Sequence, residues 1–293
     1  MEYRILRYFW TIAEEGTMAK AARLLHITQP TLSRQIHELE DELGTPLFNR
    51  TKGRLSLTEA GLFLKSRAEE ILDLTEQTKQ EFADRRSELF SGHIRIGCVE
   101  ADNSDTLAMM LEEFVNDYPE ITFTIFSGSS ADVSDLLDKG LIDLGILLQP
   151  IDLHKYQQIV LPRTEKWGLL VSNESFLAQK KGITPQDLIG IPLLMPSQPE
   201  MQRMVTNWAD VTLDELNIVG DFNLSFNAIS LVTREIGSLV GIEGANSMVP
   251  ASETTFVPLD PVVKTNCVLV WRKGRIMSPV VSEFVKKFHQ AFA

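Results

Sequence analysis

Several side chains that can read nucleic acid lie close together between residues 29 and 43. Glutamine can pair with adenine and arginine with guanine through two hydrogen bonds, while serine and threonine reach base edges or phosphate. If the apolar stripe of this segment faces a core, its opposite face and N-terminal tip present Gln29, Pro30, Thr31, Ser33 and Arg34. A helix N-terminus also favours phosphate. These residues predict a helix that enters a DNA groove tip first.

Three apolar stripes at helical spacing supply the elements that must position these side chains. They comprise Leu6, Phe9, Trp10 and Ala13, then Met18, Ala21, Ala22 and Leu25, then Leu32, Ile36, Leu39 and Leu43. Thr17 and Thr28 can cap the second and third helices, and Gly44 ends the third. The short connection after the second helix predicts a helix-turn-helix, whose second helix enters the major groove. The alternative is a small helical bundle that binds protein.

Two short extended segments follow, at 47–50 and 54–57, with a turn between them that contains Gly53. Glycine can adopt the positive φ that such a turn requires. The segments predict a β-hairpin, or wing, on which Arg50, Lys52 and Arg54 can reach the DNA backbone or minor groove.

A long charged stretch without proline, from residue 58 to about residue 89, predicts a helix. Its thin heptad seam comprises Leu64, Ala68, Ile71, Thr75, Thr78 and Phe82. A solvated helix with one face on its own domain is one interpretation. We favour a dimerising linker helix, because a long helix otherwise has little surface to bury.

The net charge of −12 is unevenly distributed. Residues 1–60 contain as many basic as acidic residues, and the excess of acid lies almost wholly beyond residue 88. An acidic C-terminal part does not prevent DNA contact where local cationic groups face the phosphates.

The remainder of the chain alternates between predicted strands and helices. Apolar strands at 94–99, 121–126 and 144–148 are separated by helical segments, and a similar series follows from residue 167. This alternation predicts mostly parallel sheets that are covered on both faces. The predicted fold class is therefore α/β with an N-terminal all-α winged helix-turn-helix.

The segment from Thr17 to Glu40, TMAKAARLLHITQPTLSRQIHELE, closely resembles the DNA-binding signature of LysR-type transcription regulators. Its continuations LGTPLFNR at 43–50 and LTEAG at 57–61 do so as well. The resemblance covers about the first sixty residues nearly position by position. It makes Gln29, Pro30, Thr31, Ser33 and Arg34 the expected groove residues, and Arg50 and Arg54 the wing contacts.

The resemblance also implies a domain organisation and a set of partners. The winged helix-turn-helix would span 1–58, the linker helix 59–90 and an effector domain 91–293. That domain would have two α/β lobes similar to type 2 periplasmic binding proteins, lobe I at about 91–161 and 267–293 and lobe II at about 162–266. The expected partners are double-stranded DNA, a small-molecule effector of unknown identity, further copies of the chain in a homodimer or homotetramer, and RNA polymerase.

Ligands of open α/β sheets bind beyond the carboxyl ends of the strands. The predicted effector contacts in the loops at those ends are Ser104, Ser129, Gln149, Ser197, Arg203 and Asn227, with Phe226 as an apolar wall. Related regulators often bind small carboxylates, yet Glu100, Asp102 and Asp105 crowd the first loop and would repel an anion. Arg203 could compensate if it faced inward. Neutral, sugar-like, amino-acid and cationic effectors therefore remain alternatives.

Other function classes find little support in the sequence. No glycine-rich phosphate loop or nucleophile elbow is visible, so we expect neither an enzyme nor a cofactor. The histidines lack metal-ligand spacing, and Cys98 and Cys267 lie in apolar strands, which favours a buried structural role over redox sensing. The N-terminus lacks a signal peptide and no apolar run could span a membrane. These features predict a cytoplasmic regulator rather than a secreted solute receptor.

Overall fold

The computed structural model describes residues 1–51, 54–84, 91–246 and 253–292. These residues belong to two compact units, Met1–Ala83 and Asp84–Ala293, and each has its own hydrophobic core.

The N-terminal unit consists of helices followed by a two-stranded hairpin and one long helix. Its elements are α1 (Tyr3–Glu15), α2 (Met18–Leu24), α3 (Gln29–Leu43), β1 (Phe48–Thr51), β2 (Arg54–Leu57) and α4 (Glu59–Asp84). The hairpin strands pair antiparallel, with Phe48 opposite Leu57. The predicted helix-turn-helix and wing are therefore present at the expected positions.

Local capping explains where the helices of this unit begin and end. The hydroxyl groups of Thr17 and Thr28 accept N–H bonds at the first turns of α2 and α3, as predicted. Gly44 ends α3 with φ of 68°, a left-handed conformation that favours glycine. The apolar stripes converge on a core that includes Phe9, Leu32 and Ile36, each fully buried.

The first part of α4 packs on this core. Leu64 and Ala68 are buried within it, so the first two members of the predicted heptad seam face their own domain. Further along the helix, the side chain of Ile71 is exposed. The first part of the helix therefore packs on its own domain, as the first interpretation predicts. The later part exposes apolar side chains that a second helix could cover, as a dimerising helix requires. Gly61 lies at the anchored end, where an added Cβ would stand 2.2 Å from the carbonyl oxygen of Leu47.

The C-terminal unit alternates between strands and helices. Its elements are β3 (Gly92–Cys98), α5 (Asn103–Asp117), β4 (Ile121–Ser127), α6 (Ser130–Lys139), β5 (Leu144–Leu148), β6 (Tyr156–Ser172), β7 (Leu193–Pro196), α7 (Pro199–Ala209), β8 (Ile218–Phe222), α8 (Ser225–Thr233), β9 (Ser238–Ile242), α9 (Glu243–Asn246), β10 (Thr254–Pro258), β11 (Lys264–Arg272) and α10 (Pro279–Phe292).

These strands form two sheets, one in each lobe. In lobe I, β3 pairs in parallel with β4 and β5, and β11 continues the sheet antiparallel to β5. In lobe II, β7 pairs in parallel with β8 and β9. Helices α5 and α10 cover one face of the first sheet, where the rings of Phe114 and Phe284 lie 4.8 Å apart. Helix α8 packs on the second sheet through a small apolar cluster that includes Val232 of the helix and Leu239 of the sheet.

Two long strands cross from one lobe to the other. Strand β6 pairs with β11 in both lobes, with a register shift between Asn266 and Val268, and then continues beside β9 and β10. The sequence predicted only 167–171 as a strand in this region. The observed strand begins at Tyr156, because pairing with the distant β11 stabilises polar residues that have no strand pattern of their own.

Candidate nucleic-acid interface and ligand cleft

The N-terminal tip of α3 is held in place by its own cap. The hydroxyl oxygen of Thr28 accepts the N–H of Thr31 at 3.4 Å, and the two threonine hydroxyl oxygens lie 2.8 Å apart. Gln29, Pro30 and Thr31 are all exposed. The cap therefore orders the backbone of the tip while the polar side chains stay accessible.

Arg34 extends from the same helix, one turn beyond the tip. Its Nε lies 3.7 Å from Oε1 of Glu38, and the two side chains are 73% and 60% exposed. An exposed ion pair of this kind contributes little to stability and can exchange partners with a phosphate or base. Ser33 is half-buried beside it. The structure therefore brings the five predicted groove residues to one end of α3, four of them exposed.

Glu40 has a structural role that the sequence did not reveal. It belongs to the acidic end of α3, yet its side chain is only 12% exposed. Its Oε1 accepts the N–H groups of Leu47 at 2.8 Å and Phe48 at 3.3 Å. The carboxylate thus connects the start of β1 to α3 through two hydrogen bonds. A charged residue at a position close to the apolar stripe is the signal that could have revealed this contact.

The wing carries two of the predicted contacts. The backbones of Arg50 and Arg54 pair in β1 and β2, opposite Leu55 and Thr51. Their side chains, and the whole of Lys52, lie outside the described part of the structure.

A cleft of about 80 Å³ lies between the lobes of the C-terminal unit, at the carboxyl ends of β3, β4, β7 and β8. This is the position that open α/β sheets use for ligands. Its walls are mostly apolar and include Trp167, which is 2% exposed. The polar side chains along it are Glu100, Ser129, Ser130, Gln198, Asn223 and Ser225.

Ser129 is the predicted effector residue that lines this cleft. It caps α6 in a reciprocal arrangement, since its hydroxyl group accepts the N–H of Asp132 and donates to the Asp132 carboxylate at 2.6 Å. The neighbouring Ser130 is buried, and its hydroxyl oxygen accepts the N–H of Leu148. Both serines shape the wall of the cleft, but their hydroxyl groups already have partners within the protein.

Ser104 and Asn227 line a different cavity. This groove has a volume of about 880 Å³ and is walled by α5, β4 and α8. Both residues lie one or two positions inside their helices, and the helical rotation of about 100° per residue carries them away from the cleft. Phe226 also lines the groove and is 73% exposed. The groove is larger and shares Val99, Glu100 and Ala245 with the cleft, but the cleft is the cavity that also meets the carboxyl ends of β7 and β8.

The other three predicted effector residues are not among those that line the cleft or the groove. The guanidinium of Arg203 donates to Glu200 at 3.0 Å and is 70% exposed, so it does not face inward. Ser197 is exposed, and its backbone N–H donates to the carbonyl of Phe222. The backbone N–H of Gln149 donates to the carbonyl oxygen of Asn266 on β11.

One hydrogen bond crosses the cleft from lobe I to lobe II. Oε2 of Glu100 accepts the backbone N–H of Ser225, at the start of α8, at 2.9 Å. The sequence identified Glu100 only as a source of repulsion in the first loop. The two residues are 125 positions apart, so no local pattern links them.

The acidic residues that follow Glu100 are turned away from the cleft. The guanidinium of Arg163 pairs with the carboxylates of Asp102 and Asp105. The N–H of Asp102 donates to Oε1 of Glu165 at 2.8 Å. Burial raises the pKa of Glu165, whereas this hydrogen bond acts in the opposite direction. Glu165 is 1% exposed, so the strand that crosses between the lobes contains a buried carboxyl group.

Both cysteines are buried and free of disulfide bonds. Burial raises the pKa of each thiol to about 12, so both are protonated at neutral pH. Redox-sensing cysteines need an accessible, low-pKa thiol, so these data favour the structural interpretation. Among the described residues, no cluster of His, Cys, Asp and Glu is arranged to hold a metal ion, and no helix has the length and apolar character to cross a membrane.

A winged helix-turn-helix joined to a two-lobed ligand-binding domain defines a DNA-binding transcription regulator that a small molecule modulates, not an enzyme. Residues 3–62 match the bacterial regulatory helix-turn-helix proteins of the lysR family, and residues 87–293 match the LysR substrate binding domain. The chain belongs to the LysR family of transcription regulators.

Relatives and solved structures agree with this assignment. The HTH-type transcriptional regulator BsdA of Bacillus subtilis (strain 168) is 30% identical over 98% of this chain and 100% of the relative. AlsR of the same organism is 28% identical over 97% of this chain and 94% of its own length. The fold resembles full-length CbnR in complex with its target DNA, with a TM-score of 0.75, 22% identity and coverage of 99% of this chain and 100% of that chain. Full-length BenM aligns with a TM-score of 0.55 and 26% identity over 100% and 99% of the two chains.

Proposed function

We propose that α3 of this regulator reads the major groove of its operator with Gln29, Thr31 and Arg34, while Pro30 and Ser33 pack against the DNA backbone. The observation that carries the proposal is the capped tip of α3, which presents exposed hydrogen-bonding side chains on an ordered backbone. Such side chains can distinguish base pairs in the major groove. Arg50 and Arg54 on the wing would add contacts to the phosphates.

The effector site of this proposal is the interlobe cleft. Ser129, Gln198 and Ser225 form its polar wall, and Glu100 spans it. The domain boundaries follow the same scheme, with DNA binding by 1–58, a linker helix at 59–90 and effector binding by 91–293. Within the last segment, lobe I comprises about 91–161 and 267–293, and lobe II about 162–266.

The effector would act by changing the angle between the lobes. A ligand shifts a conformational equilibrium only through its different affinity for the two states. Closure of the cleft would favour one pairing of the effector domains and thereby one spacing of the DNA-reading helices. An effector that saturates the protein but changes neither the DNA footprint nor the DNA bend contradicts this mechanism.

Self-association into a homodimer or homotetramer is part of the proposal. Two exposed apolar surfaces support it, one on α4 with Ile71 and Leu74 and the other on β4 with Phe123 and Ile125. Exposed apolar patches of this kind commonly mark protein interfaces. We further propose RNA polymerase as a partner at the promoter and the cytoplasm as the site of action.

DNA binding by the purified protein to its own upstream intergenic region tests the function. We expect retention that weakens as salt rises, because phosphate contacts release counterions. A matched fragment from within a coding sequence serves as the control and should bind more weakly. Equal affinity for the two fragments, or no binding at low salt, would refute the proposal.

A further inference from the structure

The interlobe cleft has an unusual balance of charge. Of the described residues that line it, Glu100 is the single ionisable one. Three nearby cationic groups are engaged elsewhere, since Arg163 pairs with Asp102 and Asp105, Lys166 with Glu243 and Arg203 with Glu200. An anionic effector would therefore meet a carboxylate and no described cationic side chain.

The N-termini of α6 and α8, which lie along the cleft, already have carboxylates of the protein as partners. Helix N-termini carry partial positive charge and often bind anionic groups. The first turn of α6 is already capped by the carboxylate of Asp132, which accepts the N–H of Ser129 at 2.9 Å. The first N–H of α8, that of Ser225, donates to Glu100. The protein itself thus supplies the negative charge that these helix ends favour.

Glu100 retains a free position for a ligand. Its Oε2 holds the N–H of Ser225, and no other described residue donates a hydrogen bond to the carboxylate or pairs with it. The carboxylate lines the cleft, so Oε1 is available to a donor within it. The hydroxyl group of Ser225, which also lines the cleft, has no partner among the described residues either.

The apolar residues of the cleft complete the site. Trp167, Met201 and Phe222 line the cavity around these polar groups. In such a partly desolvated setting, a carboxylate attracts a cation more strongly than it does in water. A ligand with an ammonium group and an aliphatic chain would fit this site. Its ammonium group would pair with the Glu100 carboxylate, and its carbon atoms would pack against the apolar wall.

We propose that the effector of this regulator is a small organic cation whose ammonium group binds Glu100 in the interlobe cleft. The proposal rests on the proposed function, because it specifies the ligand class of the same effector site. It separates this chain from regulators whose effectors are carboxylates. Glu100 also accepts the first N–H of α8, which belongs to lobe II. A cation bound to Glu100 would therefore contact the same carboxylate that joins the two lobes.

Calorimetric titration of the full-length protein with three matched probes tests the charge class. The probes are n-butylammonium chloride, 1-butanol and sodium butyrate, which share a four-carbon chain and differ in the head group. We expect the ammonium compound to bind at least about tenfold more tightly than the other two. In Glu100→Gln this preference should disappear, because glutamine keeps an acceptor for Ser225 but lacks the charge.

Glu120→Gln is the matched control, since Glu120 is exposed and is not among the residues that line the cleft. It should retain the preference for the ammonium probe. Butyrate that binds as tightly as n-butylammonium, an unchanged preference in Glu100→Gln, or no binding of the ammonium probe at its highest soluble concentration would overturn the proposal. DNA binding is measured on the same samples. Protein that binds its operator but prefers butyrate refutes the ligand class alone, whereas protein that binds no DNA refutes the regulatory function.

Discussion

At the scale of single residues, the DNA-reading surface depends on side chains that are exposed but locally ordered. Arg34 is held near Glu38 by a solvent-exposed ion pair, and Thr31 takes part in the cap of its own helix. Such contacts restrict the side chains without burying them. They can therefore be replaced by contacts to bases or phosphates at little energetic cost.

Replacement of Arg34 by alanine tests its role in base recognition. We expect Arg34→Ala to weaken binding to the operator by about 1–3 kcal/mol and to relax specificity at one position of the site. Fluorescence anisotropy with operator and single-position variants provides the measurement. Arg4→Ala removes a similarly exposed arginine from α1 and serves as the control. A uniform loss across all sequences would instead identify Arg34 as a phosphate contact.

At the scale of secondary-structure elements, Glu40 joins the wing to the DNA-reading helix. Two backbone N–H groups of the wing depend on its carboxylate. Without it they would lose their acceptor in a partly buried setting. The position of the wing is therefore fixed relative to α3 by these two hydrogen bonds.

Loss of this carboxylate should destabilise the N-terminal unit. We expect Glu40→Ala to lower the free energy of unfolding by about 1–3 kcal/mol, because buried donors lose their hydrogen bonds. Urea unfolding followed by circular dichroism measures the change. Asp41→Ala, at an exposed neighbouring position, should change stability by far less. Equal stability of Glu40→Ala and the wild type would show that the wing is held by its apolar contacts alone.

The long helix α4 has an anchored part and an exposed part. Leu64 and Ala68 belong to the core of the N-terminal unit, whereas Ile71 and Leu74 expose about two fifths of their surface, 41% each. Apolar side chains in such positions would gain stability by pairing with a second helix.

A charge at Ile71 tests the role of α4 in self-association. We expect Ile71→Lys to weaken the oligomer by about tenfold or more, since burial of an isoleucine side chain contributes about 1.5–3 kcal/mol. Sedimentation equilibrium gives the association constant. Ser66→Lys adds the same charge at an exposed position on another face of the helix. An unchanged association constant in Ile71→Lys would place the interface elsewhere.

At the scale of the whole molecule, the long strand that runs from one lobe into the other contains a buried carboxyl group. Glu165 lies on the crossing strand β6 beside Asp102 and Asn103, which begin α5. Burial raises the pKa of Glu165 above its ordinary value of 4.5, and the charge of Asp102 acts in the same direction. Glu165 therefore keeps its proton to a higher pH in the folded state than in the unfolded chain.

This shift predicts a pH dependence of stability. A group whose pKa is higher in the folded state contributes stability that is complete below its unfolded pKa and is lost as pH rises through its folded pKa. The contribution of Glu165 to stability should therefore fall as pH rises from about 4.5 towards neutral. Glu165→Gln, which cannot ionise, should lack this contribution, so the two stability profiles should diverge by about 1.4 kcal/mol for each unit of pKa shift.

Urea unfolding of both proteins across this pH range measures the difference between their slopes. Asp143 remains in both proteins, so its own raised pKa cancels from the comparison. If the stability of the wild type and of Glu165→Gln changed with pH in the same way, the pKa of Glu165 would be the same in the folded and unfolded states.

The DNA-binding half of this protein could be derived from the sequence alone. The stripe through Leu32, Ile36 and Leu39, the caps at Thr17 and Thr28 and the break at Gly44 all act within a few residues, so their consequences are local. Leu43, the last predicted member of that stripe, is 41% exposed at the end of α3. The sequence also predicted the α/β class of the C-terminal unit, because the alternation of strands and helices is a local pattern.

The set of groups that line the interlobe cleft could not be derived from the sequence, because it depends on the tertiary structure. The bond between Glu100 and Ser225 and the packing of Leu64 and Ala68 on their own domain depend on contacts between distant parts of the chain. The true start of each helix rotated Ser104 and Asn227 into another cavity. Because a helix turns about 100° per residue, an uncertainty of one residue in a helix start is enough to move a side chain from one face to another.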